Sequence, residues 1–84
     1  MDDLTILREK IDQLDDQLFD LLEQRFALSN QVKHVKQHAN INIFDSSREN
    51  KIIHRIPNLS YQKEIQEIYQ TIFRLSKAIQ EKKN

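Results

Sequence analysis

The feature that most constrains this fold is a stripe of apolar residues spaced three and four positions apart between Leu4 and Val35. Nine of its ten positions are aliphatic: Leu4, Leu7, Ile11, Leu14, Leu18, Leu21, Leu28, Val32 and Val35. Spacings that average 3.5 residues form one stripe on an α-helix, and a long stripe is typical of a helix that packs on another helix. The chain has no Gly, and its one Pro is Pro57. We therefore expect an unbroken first helix over about residues 3–37, capped by Asp2 or Asp3.

Such a helix is long for the chain that contains it. At 1.5 Å per residue it extends about 50 Å, whereas a compact globule of 84 residues has a radius of gyration of about 12 Å. The chain cannot wrap this helix by itself. The sequence therefore predicts association with a second helical chain.

Two further helices are predicted after a connector over residues 38–44. The second covers about residues 46–56. Its N-cap is Asp45 or Ser46, and Ser46-Ser47-Arg48-Glu49 has the S-x-x-E form of a capping box. Pro57 ends this helix.

The third helix is expected over about residues 61–82, with Ser60 as its N-cap. Its apolar stripe is Tyr61, Ile65, Ile68, Ile72, Leu75 and Ile79. The predicted fold class is all-α, with one long, one short and one medium helix in a single domain that covers residues 1–84.

Composition narrows the functional class. The chain has no Cys, which excludes disulfides and Cys-based zinc sites and fits a reducing, cytoplasmic compartment. Its zero formal net charge argues against general nucleic-acid binding. We expect no membrane span and no signal peptide.

His34 and His38 are four residues apart but lack an obvious third ligand, so we expect no metal site.

Arg25 is the one break in the first helix's stripe. An unpaired buried guanidinium costs several kcal/mol, so either an acidic side chain or a group outside the chain should meet it. Lys36 follows 11 residues later, which places it on the same face about 16 Å away. Because Ser29 and Val32 between them are small, the two cations can bracket a small anion with more than one carboxylate. Arg8 lies about 100° around the helix and could serve a different neighbour.

Polar residues on the other helices admit two interpretations. Arg48 and Glu49 lie in the first turn of the second helix behind Asp45. Capping chemistry is one account of this turn, and for Asp45 and Ser46 it is at least as well supported as a functional role. Ser76 and Gln80 are four residues apart, so a hydroxyl and an amide project from one face of the third helix.

Taken in order, these residues resemble one family. The segments L-R-E-K-I-D-Q-L-D-D-Q-L-F-D-L-L-E-Q-R-F-A-L-S-N-Q-V-K-H-V-K, D-S-S-R-E-N and S-K-A-I-Q are similar to the all-helical, AroQ-type chorismate mutases. The resemblance extends from Leu4 to about Gln80. It implies an intertwined homodimeric helical bundle that converts chorismate to prephenate in phenylalanine and tyrosine biosynthesis, with no cofactor.

The resemblance also implies a site. Its substrate-binding residues would be Arg8, Arg25, Lys36, Asp45, Arg48, Glu49, Ser76 and Gln80, and those with catalytic roles would be Arg8, Arg25, Lys36, Glu49 and Gln80. In the family pattern Arg8 acts in the partner chain's site. The stretch from Glu49 to Ser76 is a few residues shorter than the family leads us to expect, so the register of the third helix is the least constrained feature.

Two other functions fit parts of the pattern. Isochorismate-pyruvate lyase shares the fold and a similar cationic set, but is expected to lack a carboxylate at the position of Glu49. A non-catalytic coiled-coil dimerisation module would use Arg25 as a polar residue that sets the register of the two helices. The lyase would act on isochorismate rather than on chorismate, and the dimerisation module would have no substrate.

Overall fold

The computed structural model describes residues 2–39, 42 and 45–82. It contains α1 (Asp3–Ala39), α2 (Ser46–Arg55) and α3 (Gln62–Glu81). No strand occurs among the described residues. The all-α fold class with one long, one short and one medium helix is therefore confirmed. Most of the predicted connector, residues 40, 41, 43 and 44, lies outside the described residues.

Helix α1 begins at a side-chain cap and is continuous. The backbone N–H of Thr5 donates to Asp2 Oδ1 at 2.7 Å, which satisfies one of the free N–H groups at a helix start. This bond, together with a contact from the Thr5 side chain, lowers the pKa of the Asp2 carboxyl below its usual value. The helix runs to Ala39, two residues beyond the expected end.

Helix α2 is capped by Asp45 rather than by a capping box. The N–H of Arg48 donates to Asp45 Oδ1 at 3.0 Å, while Ser46 is already the first helical residue. The capping box predicted from Ser46 is therefore wrong. The helix ends at Arg55 and is followed by Ile56 in an extended conformation, ψ 121°, because the residue before Pro57 is disfavoured in the helical region.

Helix α3 starts without a side-chain cap. Its N-cap residue is Tyr61, so the prediction of Ser60 is wrong. The chain from Leu59 to Tyr61 turns into the helix, and the N–H of Gln62 donates to the Leu59 carbonyl at 3.2 Å. A backbone carbonyl thus satisfies the N–H at this helix start.

The face of α1 that packs on α3 is not the apolar stripe. Ser29 and Lys33 are buried, and Leu22 and Phe26 are half-buried; these four residues follow the spacing of one helical row. The row lies about 100° around the helix from Leu28 and Val32 of the stripe. The core is small: among the described residues, the buried apolar side chains are Ile52, Ile72 and Phe73.

The apolar stripe itself is exposed along its whole length in the single chain. Leu4 is 54%, Leu14 58% and Val35 65% exposed. The molecule measures 56 × 29 × 14 Å, with a radius of gyration of 16.4 Å, compared with about 12 Å for a compact globule of this size. The N-terminal half of α1 therefore projects beyond the packed helices. None of the described helices combines the length and apolar character needed to span a membrane.

Candidate active site

A pocket of about 300 Å³ opens where the C-terminal half of α1 meets α2 and α3. This volume lies at the lower end of the range for small-molecule sites, about 300–1,000 Å³. Apolar side chains form part of the wall: Leu28, Val32, Ile52 and Phe73. The remaining lining is polar: Arg25, Ser29, Lys36, Asp45, Arg48, Glu49, Ser76 and Gln80. A compact, polar ligand fits this combination of size and chemistry.

Seven of the eight residues singled out from the sequence line this pocket. They come from all three helices or their caps: Arg25, Lys36, Asp45, Arg48, Glu49, Ser76 and Gln80. Ser76 and Gln80 both lie in it, although the segment between Glu49 and Ser76 is short. Arg8 does not line this pocket and is exposed. Because it lies 17 residues before Arg25 on the same helix, it is about 26 Å away along the axis.

Arg25 is held by two neutral groups of α3. Its Nη1 donates to Ser76 Oγ at 3.0 Å, and its guanidinium carbon lies 5.7 Å from the centre of the Tyr69 ring. The ring packs edge-on against Phe73, with centroids 5.8 Å apart. Neither group neutralises the positive charge. The guanidinium is thus held in place while it remains available to an anion.

Asp45 both caps α2 and lines the pocket. Its Oδ1 accepts the N–H of Arg48 as the cap of α2, and the same residue lines the pocket. A carboxylate can accept up to about four hydrogen bonds, so capping does not exhaust its capacity. The cap also directs the first turn of α2, with Arg48 and Glu49, toward the pocket.

Gln80 has an unused polar atom. Its Oε1 is buried and accepts no hydrogen bond from any described residue. A half turn of the carboxamide exchanges its oxygen and nitrogen positions. In the present orientation a ligand donor would satisfy this oxygen, whereas in the turned orientation the amide nitrogen in its place would donate to a ligand acceptor.

Three residues that contribute to this region were missed from the sequence. Tyr69 contacts Arg25, Lys77 forms an ion pair with Glu49 at 3.6 Å, and Lys33 is only 1% exposed. Tyr69 carried a weak signal, since it is four residues before Phe73 and four after Ile65. The partners of Lys77 and Lys33 depend on how the helices pack, which the spacing within one helix does not reveal.

A larger hollow of about 720 Å³ lies along the outer face of α2. It is lined by Ser46, Ser47, Asn50, Lys51, His54 and Arg55. These side chains all belong to one helix and are all exposed, so no second element of the described chain encloses a ligand there. Within residues 2–39, 42 and 45–82, no group of three or more His, Cys, Asp or Glu side chains is placed to hold a metal ion.

The fold and the pocket together define a class: a small all-helical protein with a cation-rich pocket suited to a compact anion. Comparison with known proteins gives the family. A family model described as chorismate mutase type II matches residues 7–81. The chain belongs to the chorismate mutase type II family, and the resemblance found in the sequence is confirmed.

A solved structure supports the fold. A conserved hypothetical protein from Pyrococcus furiosus is 31% identical to this chain, with a TM-score of 0.80. The match covers 92% of this chain and 93% of that one. No curated protein gives a significant match. The backbone arrangement described above is thus also found in a solved structure of similar length.

Proposed function

We propose that this protein is a chorismate mutase that converts chorismate to prephenate for the synthesis of phenylalanine and tyrosine. One observation carries the proposal. The chain belongs to this family, and seven of the eight site residues that the family resemblance implies line one pocket. The polar lining includes three cations, Arg25, Lys36 and Arg48, and two carboxylates, Asp45 and Glu49. Chorismate is a compact dianion, so this balance favours its binding.

The proposed reaction needs positioning and electrostatic stabilisation. In this intramolecular rearrangement the ether C–O bond breaks as a C–C bond forms, with no proton transfer and no external nucleophile. The site must hold the substrate in its reactive conformer. It must also donate hydrogen bonds to an ether oxygen that gains negative charge in the transition state.

Each of the seven pocket residues singled out from the sequence has a role in this proposal. Arg25 binds one carboxylate, and Lys36 and Gln80 donate to the ether oxygen. Glu49 with Asp45 accepts from the ring hydroxyl. Arg48 and Ser76 support the end of the pocket that holds the ring carboxylate. The hydrogen bond from Arg25 to Ser76 supports these placements, because it links two of the binding groups before any ligand arrives.

We also propose a homodimer in which Arg8 of each chain completes the pocket of the other. The exposed stripe of α1 supports this arrangement, since a stripe that α3 leaves uncovered can pack on its own copy. Arg8 and Arg25 lie about 26 Å apart along one continuous helix. This separation also supports the dimer, because Arg8 does not line the pocket of its own chain. The two-carboxylate substrate would then be held by Arg25 and by Arg8 of the second copy. A cytoplasmic location stays a prediction.

The experiment supplies chorismate and isochorismate separately to the purified protein and follows the products. We expect prephenate from chorismate. We expect no salicylate and pyruvate from isochorismate, because Glu49 lines the pocket where the lyase is expected to lack a carboxylate. Salicylate and pyruvate as the main products would instead assign the lyase. Conversion of neither substrate would contradict the enzymatic proposal and favour a coiled-coil dimerisation module.

A further inference from the structure

Lys77 contacts a residue of the pocket, Glu49, without lining the pocket itself. Its Nζ lies 3.6 Å from Glu49 Oε2, and Glu49 lines the pocket while Lys77 does not. The side chains are 32% and 24% exposed respectively. This ion pair therefore connects α3 to the first turn of α2 from outside the pocket. An ion pair in this position offers a way to orient a pocket residue from outside the pocket.

The pair addresses an electrostatic difficulty of the proposed site. Glu49 places a negative charge beside a substrate that itself carries two carboxylates. Like charges at close range disfavour binding, and the penalty increases in a partly buried pocket. A cation that contacts Glu49 and does not line the pocket offsets that repulsion. Because a carboxylate has two oxygens, the contact with Lys77 leaves capacity for a substrate hydroxyl.

We propose that Lys77 is a positioning residue that holds the Glu49 carboxylate toward the ring hydroxyl of the substrate and offsets its charge. This inference rests on the proposed mutase function. Lys77 lies next to Ser76 in the sequence and three residues before Gln80. Helix α3 thus supplies two polar pocket residues, Ser76 and Gln80, and on an adjacent face the cation that orients Glu49.

The test is a double-mutant cycle with Lys77→Met and Glu49→Gln, measuring kcat and KM for chorismate. Loss of the cation should raise KM about tenfold and change kcat less, because Glu49 is oriented in both the ground state and the transition state. A tenfold change in KM corresponds to an interaction energy between Lys77 and Glu49 that is within the range for residues in contact. In the Glu49→Gln background the same change should alter KM less than about twofold, since no carboxylate remains to orient.

Two controls separate positioning from general stability. Lys77→Arg keeps the cation and should recover most of the lost affinity. Lys63→Met removes an exposed lysine four turns earlier on almost the same face of α3, and should leave KM unchanged. Thermal unfolding of each variant, followed by circular dichroism, shows whether it is folded. If Glu49→Gln is too slow to assay, the Kd of a bicyclic transition-state mimic gives the same cycle.

The outcomes distinguish this inference from the proposed function. If the parent converts chorismate and Lys77→Met matches it, Lys77 has no positioning role while the mutase function stands. An equal effect of Lys77→Met in both Glu49 backgrounds would also overturn the inference, because it would show action independent of Glu49. A parent protein that does not convert chorismate would overturn both.

Discussion

At the scale of single residues, Arg25 shows that one charged residue within an apolar stripe can mark the edge of a pocket. The stripe predicted that a buried guanidinium needs an acidic or external partner. Among the described residues its contacts are neutral, from Ser76 and Tyr69, so a partner outside the chain stays the prediction. These contacts orient the cation without cancelling its charge, which is the condition for binding an anionic ligand. Arg25 therefore interrupts the apolar stripe at the point where the pocket begins.

Gln80 gives a prediction about pH. Replacing it with Glu puts a carboxyl group where the proposal places a donor to the ether oxygen. The carboxyl donates only when protonated, and a Glu side chain has a reference pKa of about 4.3. Gln80→Glu should therefore lose most activity at neutral pH and recover part of it as the pH falls toward that pKa. The measurement is kcat/KM for chorismate across the pH range in which the variant stays folded.

A matched change on the same helix controls for added negative charge. Gln70 is exposed on α3 and lies outside the pocket. Gln70→Glu should follow the pH profile of the parent. Full activity of Gln80→Glu with the profile of the parent would show that Gln80 does not contact the ether oxygen.

At the scale of helices, local signals predicted the elements well but named some of their caps wrongly. Asp2 caps α1 and Asp45 caps α2, both among the predicted possibilities. Of the two candidates for α2, Ser46 is not the cap, and the predicted cap Ser60 of α3 is replaced by Tyr61, which makes no side-chain cap bond. Hydroxyl and carboxylate side chains that are adjacent in sequence compete for the same role, so composition alone does not select between them.

Helix packing was less predictable than helix formation. Lys33 would ordinarily be a surface residue, since Lys is rarely buried, yet it is 1% exposed. It is buried because α3 packs on its face of α1 and not on the apolar stripe. The stripe predicted that α1 packs on another helix, but not which face α3 would occupy. The neighbours of Lys77 and Tyr69 were unpredictable for the same reason, as they depend on the relative placement of helices.

At the scale of the whole molecule, the exposed stripe and the distant Arg8 lead to one prediction. Arg8→Ala and Arg25→Ala chains, each expected to be nearly inactive, are unfolded together and refolded as a mixture. If Arg8 acts in the other chain, both lesions of a mixed dimer fall in one site and the second site is intact. Random pairing makes about half of the dimers mixed, so about a quarter of the parent activity should return.

The control mixture combines two lesions of one pocket. Arg25 and Lys36 line the same pocket of a single chain, so mixed dimers of Arg25→Ala and Lys36→Ala keep one lesion in every site and should recover nothing. Mass spectrometry confirms that mixed dimers form. If the Arg8 mixture, with its mixed dimers confirmed, also recovers nothing, the shared site is wrong while the mutase function stands.

The central claim is that the pocket between the three helices carries out the rearrangement of chorismate, and Lys36 tests it most directly. The measurement is the rate of prephenate formation by the parent, Lys36→Ala and the control Lys63→Ala, whose side chain is exposed on α3. We predict that the parent and the control are equally active. Lys36→Ala should be about 100- to 1,000-fold slower in kcat, the usual effect of removing one donor to a developing oxyanion. A folded Lys36→Ala variant that forms prephenate at the parent rate would contradict the claim.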